Sequence, residues 1–295
     1  ARFVQGLGAS GPRVVSIAIV RDLFSGREMA RIMSIAMTIF ILVPAIAPAM
    51  GALIINSYGW RAIFAAFIVF SLISVLWVGV RLNEPLATTD RRPIRVSLMI
   101  SALNEMLTHK TVRISILMQT IMLAMLFTTL TMIQPIYDQI YNRPDSFPFW
   151  FGTVALFSGA SSLLNAFIVP RFGMHKIITW SITIQVAIGA IILTTMSTIP
   201  SDGFYLFVFW QFCLFAQAGL TIGNLNAIAM EPMGHIAGMA ASVIGAISTI
   251  GAALIASPTS LLMTDTPRPL IAIVLILGIC AVLLMRRMNQ LKGAS

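Results

Sequence analysis

Arg2 and Gln5 stand one helical turn apart in the apolar stretch RFVQGLGASG. A cation in such a stretch is the first candidate for chemistry. Burying it in a bilayer costs roughly 2.5–3.5 kcal/mol on insertion scales, so it either serves a function or snorkels to a headgroup. Arginine holds its proton tightly, so its chemistry is to attract an anion or bias a nearby carboxylate. A second candidate is VPAIAPAMG, with Pro44, Pro48 and Gly51 deep inside an apolar run. Two prolines four apart forfeit two backbone hydrogen bonds on one face and loosen the helix, while the alanines between them allow close packing. Neutral polar groups form the third set: Gln119, Thr128, Thr129, Thr131 and Gln134, then Asn165, then Gln211, Gln217, Asn224 and Asn226. Each suits a hydrogen bond between helices or the polar wall of a substrate cavity. Gln119, Asn165, Gln217 and Asn224 are the cavity candidates, and Gln217 is the most central. Methionine and phenylalanine, 18 of each, suit an adaptable pocket; in a membrane protein most of them are expected to face lipid.

The acidic residues are informative by position. All ten lie in loops or near expected helix ends, and Glu231, beside Pro232, reads as a surface cap. A polytopic membrane enzyme would need clustered ionisable groups within its spans, and no such cluster is visible. His109, His175 and His235 fall in three separate loops and do not make a metal site. No G-x-x-x-x-G-K loop occurs, which argues against an ATP-driven pump, and no cofactor is implied. The net charge of +9 is spread between apolar segments rather than along one face, so nucleic acid is not the expected partner. Cys213 and Cys280 sit in apolar runs and pack as small hydrophobes.

The elements that must position these groups are membrane spans. Apolar residues make up 58% of the chain and charged residues 10%, against about a quarter charged in soluble domains; mean hydropathy is +0.92. Taking about 20 apolar residues per crossing, the expected spans are 1–20, 31–55, 61–81, 112–137, 148–170, 176–198, 203–229, 237–261 and 268–286. The interruption at 82–111 holds Asp90-Arg91-Arg92-Pro93 and then an amphipathic piece. There Val96, Met99, Ile100, Leu103 and Leu107 share one helical face, as in a helix lying at the interface. This divides the chain into 1–81, a linker at 82–111 and 112–295. Of the 19 Lys and Arg residues, 14 fall on one side of the alternating spans and only Arg61, Arg143 and Arg268 on the other. The positive-inside rule then puts the 21–31 loop and the carboxyl terminus in the cytoplasm. A thin repeat, Gly26–Ser34 over Gly234–Ser242, has the offset expected for six helices plus a linker.

Four stretches carry a family resemblance. Arg2-Phe3-Val4-Gln5-Gly6-Leu7-Gly8-Ala9 resembles the R-x-x-Q-G-x-G-A motif on the fourth helix of major facilitator superfamily transporters. Pro44 to Gly51 resembles the fifth-helix antiporter motif of its drug-exporting members. Arg21-Asp22-Leu23-Phe24 and Gly59-Trp60-Arg61-Ala62-Ile63-Phe64 are similar to the Bcr/CflA-type drug–proton antiporters. Pro170-Arg171-Phe172-Gly173 resembles a degenerate second copy of the family's cytoplasmic loop motif, with proline where an acidic residue is expected.

The resemblance implies an all-α polytopic fold of two six-helix bundles. Residues 1–81 would be helices four to six and residues 112–295 helices seven to twelve. Three helices are then expected before Ala1, among them the first, which commonly bears the proton-coupling carboxylate. It further implies that Arg2 lies in the central cavity and shares in proton coupling beside Gln5. The implied activity is export of drugs or other small amphipathic toxic compounds in exchange for protons, by alternating access. The implied setting is the bacterial inner membrane, with lipid, substrate and protons as partners and a monomer as the working form. A metabolite exporter of the same fold, for instance of amino acids, is the alternative.

Overall fold

The structure is a computed structural model that describes residues 2–24, 26–82, 96–198 and 203–293. Ten α-helices account for nearly all of it: α1 (Arg2–Leu23), α2 (Gly26–Tyr58), α3 (Arg61–Arg81), α4 (Val96–Thr108), α5 (Lys110–Pro135), α6 (Phe147–Phe172), α7 (Met174–Thr198), α8 (Phe204–Met230), α9 (Ala237–Ala256) and α10 (Arg268–Gly293). Hydrocarbon offers the backbone no hydrogen bonds, so a chain this apolar must satisfy its own N–H and C=O groups in helices. Among the described residues, seven helices are long and apolar enough to cross a membrane, beginning at Arg61, Lys110, Pro144, Met174, Phe204, Met239 and Arg268. Beside them, α1 has 22 residues and α2 has 33.

The chain forms two compact units, Ala1–Ile94 and Arg95–Ser295. The motif Asp90-Arg91-Arg92-Pro93, in the expected linker, lies outside the described residues. In the first unit the connections are shorter than the sequence suggests. Instead of an open loop over 21–31, α1 continues through Arg21 and Asp22 to Leu23, and α2 begins at Gly26. GREMARIM is rich in helix formers, and Glu28 lies in the first turn, where a carboxylate favours the helix dipole. Pro44 and Pro48 both fall within the one helix α2.

In the second unit α8 is central, packing on α5, α6 and α7, while α10 closes against α5 and α7. Successive helices α5 to α10 alternate in direction, and contacts fix both ends. At one end Tyr137 and Tyr141, just past α5, meet Phe204 at the start of α8, with ring centroids 5.3 and 5.2 Å apart. Phe147, opening α6, sits 5.5 Å from Tyr137, and the Arg268 guanidinium donates to Met196 O at 2.6 Å, joining α10 to α7. At the other end His175 at the start of α7 lies 3.0 Å from Asn289 near the end of α10. The aromatic end has the composition of a membrane–water belt.

Arg61, Arg143 and Arg268, the exceptions to the charge bias, each have a local partner. Arg61 lies 4.8 Å from the Trp60 ring, Arg143 lies 4.6 Å from the Phe204 ring, and Arg268 caps a carbonyl.

Packing adds to one sequence expectation and corrects another. The amphipathic helix α4 docks on α5 and α9 within the second unit. Its anchor is Met106, fully buried beside Val112, Ile116, Met233 and Ile244, while Ile100 and Leu107 from the expected apolar face are exposed. Among the described residues the methionines are not mainly lipid-facing: Met118, Met122, Met125, Met132, Met285 and Met288 all lie in the core. An unbranched thioether bends to fill the gaps between helices whose other groups are β-branched or aromatic.

The joint between α6 and α7 is a single residue. Gly173 has φ 77° and ψ 151° and its N–H closes the last turn on Val169 O at 2.8 Å. That backbone region is open essentially only to glycine. The expected basic loop thus reduces to a hinge-like corner with Arg171 exposed in the last turn of α6.

Candidate functional site

The polar candidates of the second unit converge on α8. Gln217, Thr221 and Asn224 recur at helical spacing along it, and all three are buried. The Gln217 amide donates to the Met122 sulfur on α5 at 2.8 Å and to Thr221 Oγ1 at 3.2 Å. Thr221 in turn donates to Gln217 O at 2.8 Å. Asn224 is paired reciprocally with Asn165 on α6: Asn165 Nδ2 donates to Asn224 Oδ1 at 3.2 Å, and Asn224 Nδ2 donates to Asn165 Oδ1 at 2.9 Å. Asn224 also donates to Leu220 O one turn back.

Close approach of α6 and α8 makes that pairing possible. Ser158 and Ser161 donate across to Phe215 O and Ala216 O, at 3.0 and 3.1 Å. A Cβ at Gly219 would strike Ser161 Oγ and come within 2.7 Å of Ser158 O. Small residues at helix crossings let backbones meet in this way.

Gln119 is buried on α5, one turn before Met122, and its Oε1 has no hydrogen-bond partner. The same holds for Thr128 Oγ1, both amide atoms of Gln185, Trp210 Nε1 and Gln211 Nε2. Trp210 Nε1 lies 3.7 Å from where a Cβ on Gly189 would be, one turn beyond Gln185 on α7. Gln211 Oε1 accepts from the Tyr137 hydroxyl at 3.1 Å. Tyr137 owes its inward direction to Pro135, which ends the α-helical ladder, and to the π-helical turn Ile136–Ile140 that follows. Sequence reading passed over Tyr137 and Gln185. A glutamine in the middle of ITIQVAIG was the visible signal for the second.

The first-unit candidates are placed by their helices. Arg2 and Gln5 lie in the first turns of α1, and Gln5 is exposed. Pro48 and Gly51 are half-buried on α2. The side chains of Arg2, Arg21, Asp22 and Pro44 lie outside the described residues. Every acidic residue whose side chain is described (Glu28, Glu105, Asp138, Asp145, Glu231 and Asp265) is exposed. Among the described residues no group of three His, Cys, Asp or Glu could hold a metal ion.

Asn165 and Asn224 tie α6 to α8, and this is measurable. Asn224→Leu strands the Asn165 amide in a poorly solvating interior, at a cost of about 1–3 kcal/mol. The double replacement with Leu removes both groups and is expected to cost less than the two singles added. Hydrogen bonds between membrane helices average about 0.6 kcal/mol and reach about 1.7, so the coupling should fall in that range. Strictly additive unfolding free energies in detergent would show that the pair is not a tie.

A bundle of apolar helices with a few buried neutral amides has the makings of a polytopic membrane protein. The profile of the Major Facilitator Superfamily matches residues 1–256, and the chain belongs to that superfamily. It is 28% identical over 285 residues to an MFS-type transporter of Bacillus subtilis, covering 95% of this chain and 69% of the relative. It is 27% identical to the bicyclomycin resistance protein homolog of Haemophilus influenzae, covering 96% of this chain and 70% of the relative. Against the multidrug resistance protein MdtL of Escherichia fergusonii it is 29% identical, covering 86% of this chain and 62% of the relative. A bacterial homologue of the iron transporter ferroportin, solved in an outward-facing state, shares the fold with a TM-score of 0.63 at 15% identity, covering 95% of this chain and 70% of that one.

Proposed function

We propose that this chain belongs to a proton-coupled exporter of small amphipathic toxic compounds that works by alternating access in a bacterial inner membrane. One observation carries the reading: a relative named for bicyclomycin resistance aligns over 96% of the chain. The four motif stretches, Arg2–Ala9 and Pro44–Gly51 first among them, support it. In this reading α1–α3 and α5–α10 are nine of twelve membrane helices, and the carboxyl terminus is cytoplasmic. The buried amides suit such substrates: Gln119, Gln185 and Gln211 hold donors or acceptors without a protein partner, among adaptable methionines. Substrates would be held by weak, neutral contacts that tolerate many shapes.

The test is a susceptibility panel on cells producing the intact transporter, paired with substrate-induced proton movement in vesicles. Raised resistance to several unrelated compounds is expected, with protons moving in the direction opposite to the substrate. Transport of one metabolite alone, with no drug phenotype, would favour the metabolite exporter.

Orientation has its own check. With Cys213 and Cys280 replaced by Ala, a single cysteine at Asn142 should react with an impermeant thiol reagent from outside, and one at Thr89 should not. The reverse pattern would overturn the orientation drawn from the charge bias.

A further inference from the structure

The cytoplasmic-side arginines of α10 do more than obey a charge bias. Arg286, Arg287 and Gln290 line the upper part of an open surface groove of about 530 Å³ along α10, whose lower part is Cys280, Leu283 and Leu284. Arg286 also borders a second groove of about 140 Å³ between α7 and α10, lined by Thr179, Ile182, Thr183, Val282 and Met285. Both are therefore apolar along their length and basic at one end, and they meet at one guanidinium.

The depth of these grooves relative to a bilayer can be read from the helix. Arg268 and Arg286 bracket an uncharged run from Pro269 to Met285. At 1.5 Å per residue this run spans about 26 Å, close to the roughly 30 Å of hydrocarbon in a bilayer. Arg286 thus lies where hydrocarbon gives way to headgroups, and Cys280 about 9 Å deeper, within one leaflet. Neither α7 nor α10 contains an acidic residue, and among the described residues no carboxylate pairs with Arg286 or Arg287. The His175–Asn289 contact brings the basic start of α7, with Lys176, beside the same end of α10.

Topology signals and helix-dipole complementarity account for cations at a helix end. They do not account for an apolar groove on each side of one of them. From this juxtaposition we infer a binding site for one anionic diacyl phospholipid. Its phosphate is held by Arg286 and Arg287, and its acyl chains run down the two grooves. Guanidinium suits a phosphodiester through paired N–H donors, and basic pockets between membrane helices are a known way to hold acidic headgroups. The inference rests on α10 spanning the membrane and is independent of the substrate.

The full chain, stripped of lipid in detergent, would be titrated with phosphatidylglycerol or phosphatidylcholine of matched acyl chains, and bound lipid counted by native mass spectrometry. One phosphatidylglycerol is expected to be retained with at least tenfold preference. Arg286→Gln with Arg287→Gln should bring the two lipids to parity, while Arg143→Gln, at the opposite end of the bundle, leaves the preference intact. Cys280→Trp fills the larger groove with both arginines in place and should lower phosphatidylglycerol retention at least fivefold. Equal retention of both lipids by the parent chain, or an unchanged preference in the double variant, would overturn the site. So would displacement by millimolar inorganic phosphate, which marks a free-anion site. If the double variant fails to fold, unchanged retention in Cys280→Trp decides against the grooves.

Discussion

Gly219→Val is expected to remove folded protein and efflux together. The α6–α8 crossing has no room for a side chain, because a Cβ there meets Ser161 Oγ and lies 2.7 Å from Ser158 O and 3.2 Å from Ser162 N. A serine hydroxyl can swing away, but the Ser158 carbonyl and Ser162 amide are backbone and move only with the helix. Overpacking a well-filled site typically costs about 1–3 kcal/mol and more where backbone must shift. Valine adds two methyls beyond Cβ, so a loss above about 3 kcal/mol is expected. The displacement would part Asn165 from Asn224 and draw Ser158 and Ser161 off the α8 carbonyls. Gly219→Ala should show the same defect at smaller size, and Ser161→Ala should relieve it only in part because Ser158 O remains. Thermal stability in detergent and drug efflux in cells give the measurement. A monodisperse Gly219→Val protein with parental melting temperature would show that the helices separate without cost.

Arg2→Ala in the intact transporter is expected to lower substrate-driven proton movement in vesicles at least tenfold while some substrate binding survives. Arg2 opens α1 within the stretch that resembles the family's fourth-helix motif. In low-dielectric surroundings an arginine stays protonated, so its role is to stabilise the charged form of a nearby carboxylate. The described acidic side chains of this chain are all exposed, and the family resemblance puts the titrating carboxylate on the first helix of the fold. Removing the guanidinium favours the protonated carboxyl and disconnects substrate exit from proton entry. Arg2→Lys keeps the charge but loses the planar fork, and should retain partial coupling. Full coupling in Arg2→Ala would make the residue an interfacial anchor.

Among the described residues, the seven helices long and apolar enough to cross a membrane were legible before any coordinates. A run of about 20 apolar residues has no alternative in lipid but to satisfy its own backbone as a helix. That is why the expected 61–81 and 203–229 segments fall within a residue or so of α3 and α8. The Arg2 and Pro44 motifs were legible too, because order along the chain is a one-dimensional property. What lay beyond the sequence was rotation: the direction in which each helix turns its polar groups. Helices apolar all round, such as α6 and α8, have no amphipathic face to announce their partners. Asn165 and Asn224 meet across 59 residues and Tyr137 and Gln211 across 74, by virtue of a bare glycine at one crossing and a π-helical turn at the end of α5. The same holds for Met106, whose burial depends on where α9 begins rather than on the periodicity of α4. Composition and length decide that a segment crosses the membrane. Steric fit at the crossings decides which side chains share its interior, and that fit exists only once the helices are packed.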